Sequence, residues 1–194
     1  TSIKAEKKVY NSIFPLSLLQ LASYVRENNF NVYIVNFPYL VKKGVLNINN
    51  KFFKKSARYI LSSRPDIVGF RTLCSNYHIA LGIAQECKRI MPKGKIIFLG
   101  PHATLNDVKT LQKFPFVDII VRNEGEITLI EIMKALKDKN TLNNIKGITF
   151  RSNNTVIKNS SRTLIENLDR LPLPAYNLIS VKDYIDNTEE EAFF

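Results

Sequence analysis

Apolar residues recur along this chain with two periods that take turns. Leu16, Leu19, Ala22 and Val25 share one face of a helix that Phe14-Pro15 opens and Asn28-Asn29 closes, with Pro15 suited to the first turn. Val32-Tyr33-Ile34-Val35 then reads as a buried strand. Lys51 to Ser62 is the next helix, with Phe52 and Phe53 inward and the lysines outward. Arg64-Pro65-Asp66 breaks it and launches a strand over Ile67-Val68-Gly69-Phe70-Arg71-Thr72. From Ser75 to Ile90, the residues Ile79, Ala80, Ile83, Ala84, Cys87 and Ile90 fall on one helical face, and Met91-Pro92-Lys93-Gly94 stops it. A strand ending at Leu99, a helix from about Asn106 to Lys113, a strand ending at Val121 and a helix from Glu126 to Lys137 complete the series.

Strand and helix alternating over short connections predict βαβ units: a Rossmann-like (flavodoxin-like) α/β fold, its parallel sheet covered by helices on both faces. From residue 147 the texture changes. Gly147-Ile148-Thr149-Phe150-Arg151 and Thr155-Val156-Ile157-Lys158 flank Asn153-Asn154 as a β-hairpin, and Leu168 to Pro174, with two prolines and no period, reads as an extended connector. The expected organisation is therefore a Rossmann-like unit over 1–142, then a hairpin and linker over 143–194. One strand is missing. A sheet of order 2-1-3-4-5 begins with a central strand, yet no apolar run precedes the first helix. The only methionines are Met91 and Met133, so the chain reads as a fragment cut after its first strand.

Composition narrows the function. An apolar fraction of 45% with 23% charged residues is average for a soluble globular protein. No apolar run approaches the ~18 residues of a spanning helix, and Thr1 to Lys8 lacks the apolar stretch of a signal peptide. The expectation is a cytoplasmic protein with no membrane partner. The net charge of +11 invites nucleic acid. The lysines are scattered, however, and the single basic–aromatic cluster, Lys51 to Lys55, scans as a helix face, so a solvated basic surface is the better reading. Cys74 and Cys87 match no zinc or iron–sulfur spacing. Cys87 lies on a helix's apolar stripe and reads as structural, while Cys74 closes a strand.

The chemistry gathers at two strand-to-helix corners, Gly100-Pro101-His102-Ala103-Thr104 and Val121-Arg122-Asn123-Glu124-Gly125-Glu126. Both lie on the edge of a parallel sheet where ligands bind. Gly100 would let a ligand approach the backbone, Thr104 would cap the next helix or bond a ligand, and Gly125 would allow an unusual turn. Glu124 and Glu126 either complement a helix dipole or accept hydrogen bonds from ligand amides or hydroxyls. His102 sits in the edge loop, and His78 in a first helical turn reads as surface. The dinucleotide G-x-G-x-x-G, the P-loop and the hydrolase G-x-S-x-G are absent, as is any complete metal set, so no catalytic or metal-ligating residue is expected.

The succession Phe14-Pro15-Leu16-Ser17-Leu18-Leu19-Gln20-Leu21-Ala22-Ser23-Tyr24, Pro65-Asp66-Ile67-Val68-Gly69-Phe70, Leu99-Gly100-Pro101-His102-Ala103-Thr104 and Val121-Arg122-Asn123-Glu124-Gly125-Glu126 resembles the N-terminal cobalamin-binding domain of B12-dependent radical SAM proteins. Ile165 to Tyr176 is similar to the connector that in this family leads into the radical SAM barrel. The resemblance implies cobalamin as cofactor, its nucleotide tail held against the sheet edge. Thr72, Leu73, Cys74 and Ser75, then Gly100, Pro101, His102 and Ala103, then Glu124, Gly125 and Glu126 would line the site. It also implies a barrel C-terminal in the same polypeptide, carrying the [4Fe–4S] cluster and S-adenosylmethionine, for methyl transfer or rearrangement. This chain has no C-x-x-x-C-x-x-C. It departs from the family's pattern at Arg71, where a small residue is common, and at Leu99, where a glycine is. Two other readings stay open: a member that has lost cobalamin and serves as an interaction or gating module, and a nucleotide- or sugar-binding Rossmann domain of a transferase.

Overall fold

The computed structural model describes residues 14–153 and 155–185. Helix α1 (Leu16–Glu27), a short α2 (Phe37–Lys42) and α3 (Phe52–Leu61) precede strand β1 (Ile67–Arg71). Then come α4 (Tyr77–Ile90), β2 (Lys95–Leu99), α5 (Pro101–Leu105), α6 (Asp107–Lys113), β3 (Ile119–Val121) and α7 (Glu126–Lys137). The hairpin is β4 (Ile148–Ser152) and β5 (Thr155–Lys158), and α8 (Lys182–Ile185) follows the connector.

The five strands lie in sequence order in one sheet, β1, β2 and β3 parallel and β4 and β5 antiparallel. β4 pairs directly with β3, so the sheet continues across position 142 into the hairpin. Strand alternation divides the core into two. Val68, Phe70, Ile96, Phe98 and Ile120 face α3 and α4, where Ala80, Ile83, Ala84 and Cys87 meet them. Ile97, Leu99, Ile119 and Val121 face the other way, with Leu21 of α1 and Ile132 and Ala135 of α7. Each fully buried Ile or Phe here contributes about 1.5–3 kcal/mol.

Several expectations are corrected. Residues 32–35 form no strand: they join no ladder and Tyr33 is 73% exposed. β1 ends the described sheet, and an apolar run becomes a strand only when a neighbour takes its backbone groups. The expected first strand concerns residues outside those described. Phe53 and Leu16 are exposed rather than inward, Phe53 lying across α4 at Gly82. Ile90, the last residue of α4, is exposed rather than part of the buried face. The connector expected over Leu168 to Pro174 opens with a 3₁₀ turn, Leu168–Arg170, and a second, Tyr176–Leu178, follows it.

That connector is fastened along α1. Gln20 Nε2 donates to the Pro172 carbonyl at 2.7 Å, Ala175 N to the Leu19 carbonyl at 3.1 Å, and Arg26 to Asn177 Oδ1 at 3.0 Å. Its end docks on α2. Asp183 accepts from Tyr39 Oη and Lys43 Nζ, each at 2.7 Å, and Tyr184 stacks on Tyr39. The bonds from Lys43 and Tyr39 hold the Asp183 carboxyl down at about 2.

Candidate functional site

The C-terminal ends of β1, β2 and β3 form one edge, and hydrogen bonds tie their loops into a continuous shelf. Thr72 is fully buried. Its backbone N donates to the Leu99 carbonyl (2.7 Å), its Oγ1 donates to the same carbonyl (3.0 Å) and accepts from Ala103 N (3.2 Å), and its own carbonyl accepts from His102 N (3.3 Å). Thr72 is thereby a bolt between the first two loops. Gly100 sits against it with φ +99°, and a Cβ there would lie 2.8 Å from the Thr72 carbonyl oxygen. The close approach that Gly100 permits is that of Thr72's backbone, where the sequence pointed to a ligand's.

Further along the edge, Thr104 Oγ1 accepts from Asn123 N at 3.0 Å, which joins the second loop to the third. Of the two roles expected of Thr104, capping the next helix or bonding a ligand, the first falls to a contact with the third loop instead. Gly125 has ordinary backbone angles (φ −97°, ψ −17°), and the left-handed residue is Asn123 (φ 59°), whose short polar side chain tolerates that region. Gly125 is small because Leu21 of α1 packs on it, 3.3 Å from where a Cβ would stand. Glu124 Oε2 accepts from Ile165 N at 2.6 Å and so anchors the connector to the shelf. Arg122, itself buried, donates to the Asn159 and Ser160 carbonyls and faces Asp107.

Of the residues expected to line a site, Thr72, Ala103 and Gly125 lie buried beneath this shelf. Cys74, Ser75 and Pro101 are exposed on it, and Leu73, Gly100, His102, Glu124 and Glu126 are half-buried. The structure brings Cys74 and His102 together, Sγ to Nδ1 at 3.2 Å, and the His102 ring lies against Tyr77 with centroids 4.1 Å apart. Tyr77 is fixed in turn by Thr110, oxygen to oxygen at 2.7 Å. His78 is exposed. Among the described residues no group of three or more His, Cys, Asp and Glu gathers to hold a metal, and no helix is long and apolar enough to cross a membrane.

One residue of this region was missed in the sequence. Gly69, in the middle of β1, is exposed, and a Cβ there would meet nothing closer than Leu99 Cδ2 at 3.7 Å. By alternation Gly69 lies on the α1/α7 face together with Leu99, and it leaves an open slot beside the shelf. A lone glycine inside a strand pattern marks a close approach, which is the signal that could have found it.

The model of the B12-binding domain matches residues 6–133. The chain belongs to the B12-binding domain family. An uncharacterized methyltransferase of Pyrococcus horikoshii is 33% identical over 170 residues, 88% of this chain and 35% of that protein. The anaerobic magnesium-protoporphyrin IX monomethyl ester cyclase of Cereibacter sphaeroides is 27% identical over 68% of the chain and 22% of its own length. The cobalamin-dependent S-adenosylmethionine radical enzyme OxsB, solved with aqua-cobalamin and S-adenosylmethionine bound, shares the fold at TM-score 0.74 and 18% identity. That match covers 95% of this chain and 24% of OxsB. The chain thus spans about a third of the first relative and under a quarter of the other two.

The residues present in this B12-binding domain suit a corrinoid. The exposed residues Cys74, Ser75 and Pro101 suit a ligand rimmed with amides, and the open space over Gly69 in β1 leaves room for a nucleotide tail.

Proposed function

We propose that this B12-binding domain holds cobalamin on the C-terminal edge of its sheet and presents it to a radical SAM barrel that follows in the same polypeptide. When bound, cobalamin supplies a cobalt centre able to carry a methyl group or to take part in rearrangement. The chain's own residues do the holding. Cys74 and Ser75 offer backbone and small polar groups to the corrin rim, with the Leu73 side chain and the Pro101 ring packing beside them. His102, steadied by Tyr77 and Cys74, gives a fixed imidazole at the same rim. Thr72, Gly100 and Thr104 keep the loops in register, and Glu124 holds the connector beside them. Cluster and S-adenosylmethionine chemistry belongs to the barrel, and residues 143–194 join the two units.

The observation that carries this reading is the open slot over Gly69 next to a shelf braced by hydrogen bonds from one loop to the next. Family membership supports it and favours neither a nucleotide- or sugar-binding transferase domain nor a cobalamin-free module. The test is an absorbance titration of the purified chain with aquacobalamin. Saturable binding is expected for the parent and for Gly69→Ala, whose added carbon meets only Leu99 at 3.7 Å. Gly69→Leu fills the slot and should abolish binding while the circular dichroism spectrum stays unchanged. Undiminished binding by a folded Gly69→Leu protein would overturn the assignment of the slot.

A further inference from the structure

Arg71 ends β1 on the same face as Gly69, with Leu99 as its register partner. It is half-buried, and its stem runs past Gly100, Cγ lying 3.6 Å from where a Cβ on that glycine would be. Its carbonyl accepts from Asn76 Nδ2 at 3.1 Å. Its guanidinium has no hydrogen-bond or ion-pair partner among the described residues. Arg122 and Arg162, by contrast, are committed: Arg122 to Asp107 and two carbonyls, Arg162 to Glu131. Neither Glu124, which accepts from Ile165 N, nor Glu126 forms an ion pair with Arg71 among the described residues. A forked cation without an ion-pair partner among the described residues therefore stands two residues along β1 from Gly69, its stem passing beside Gly100.

Guanidinium matches phosphate oxygens with two parallel N–H donors, and such charge-assisted bonds are among the strongest available at a surface. A corrinoid with a complete nucleotide tail carries one phosphodiester between the corrin's side arm and the tail's ribose. A tail entering over Gly69 passes Arg71 on its way. We propose that Arg71 binds this phosphodiester and makes the domain selective for corrinoids that possess the nucleotide tail. The inference rests on the reading of this edge as a corrinoid site. Arg71, which in the sequence looks like an obstruction, becomes the group that recognises the tail.

The test compares aquacobalamin with cobinamide, the same corrin without phosphodiester and nucleotide, in titrations of the full chain followed by absorbance. Arg71→Met keeps the stem against Gly100 and removes the charge. It should weaken aquacobalamin by about tenfold to a hundredfold, the range of a charge-assisted hydrogen bond, and change cobinamide by less than about twofold on the same scale. Arg71→Lys retains charge without the fork and should fall between. Thermal melts establish that each variant folds. Equal weakening of both ligands, or no weakening of either, overturns the role of Arg71 while leaving the site in place. Failure of the parent chain to bind either corrinoid removes the site itself, and the inference falls with it.

Discussion

Replacing Asp107 by Asn tests whether the polar centre beneath the shelf holds the hairpin to the parallel sheet. Asp107 and Arg122 are each 5% exposed. Asp107 Oδ2 accepts from Thr149 Oγ1 at 2.7 Å and Lys158 Nζ at 3.0 Å, and Arg122 Nη1 stands 3.5 Å away. Its Oδ1 accepts from Val108 N at 2.7 Å. Asparagine keeps the shape and deletes the charge. Removing one partner of a buried pair costs about 3–5 kcal/mol. Two features reduce that here. The Lys158 side chain is 52% exposed, so its pairing adds only ~0–1 kcal/mol, and Arg122 keeps both its carbonyl acceptors. A loss of about 2–3 kcal/mol is expected, lowering Tm by about 4–12 °C for a chain of this size.

The assay is urea unfolding at pH 7 followed by circular dichroism, repeated on acidification. Burial raises the Asp107 pKa, but the bonds from Thr149, Lys158 and Val108 N and the charge of Lys158 outweigh it, leaving the carboxyl below its usual range. A depressed carboxylate stabilises the fold above the unfolded-state value of about 4 and loses that contribution as pH falls through its lower folded value. The gap between parent and Asp107→Asn should therefore begin to shrink as pH falls below about 4 and close only once the pH has passed below the lower folded value. A difference within about 0.5 kcal/mol at pH 7, or a gap that widens in acid, would refute the reasoning.

Gly100→Ala places a carbon 2.8 Å from the Thr72 carbonyl at a positive φ, so it should destabilise by about 2 kcal/mol or more; a melt unchanged from the parent would remove the bolt as a constraint. Iodoacetamide at neutral pH should label exposed Cys74 and spare Cys87, which is fully buried and whose thiol burial pushes up to about 12. Mass spectrometry reads this directly, and native labelling of Cys87 would contradict the packing of α4.

What a single element does alone was legible in the chain. Helical and strand periods placed α1, α3, α4, α7, the three parallel strands and the hairpin within a residue or two, because those patterns reflect burial of one face at a time. Cys87 was legible as a core thiol and His78 as surface for the same local reason. The two corners after Leu99 and Val121 were legible because strand-to-helix turns carry their own residue chemistry.

What depends on a neighbour was decided only by the assembled sheet. The apolar run at 32–35 finds no partner strand among the described residues and stays outside the ladder. Gly100, Thr104 and Gly125 owe their character to Thr72, Asn123 and Leu21, residues distant in sequence that the fold brings within a few ångströms. Register put Arg71 beside Leu99 and on the same face as Gly69, a juxtaposition that the three positions do not reveal in the sequence. Periodicity records which face of an element is buried; the pairing of one element with another is a long-range choice, fixed when the backbone groups and side chains of the whole sheet are satisfied together.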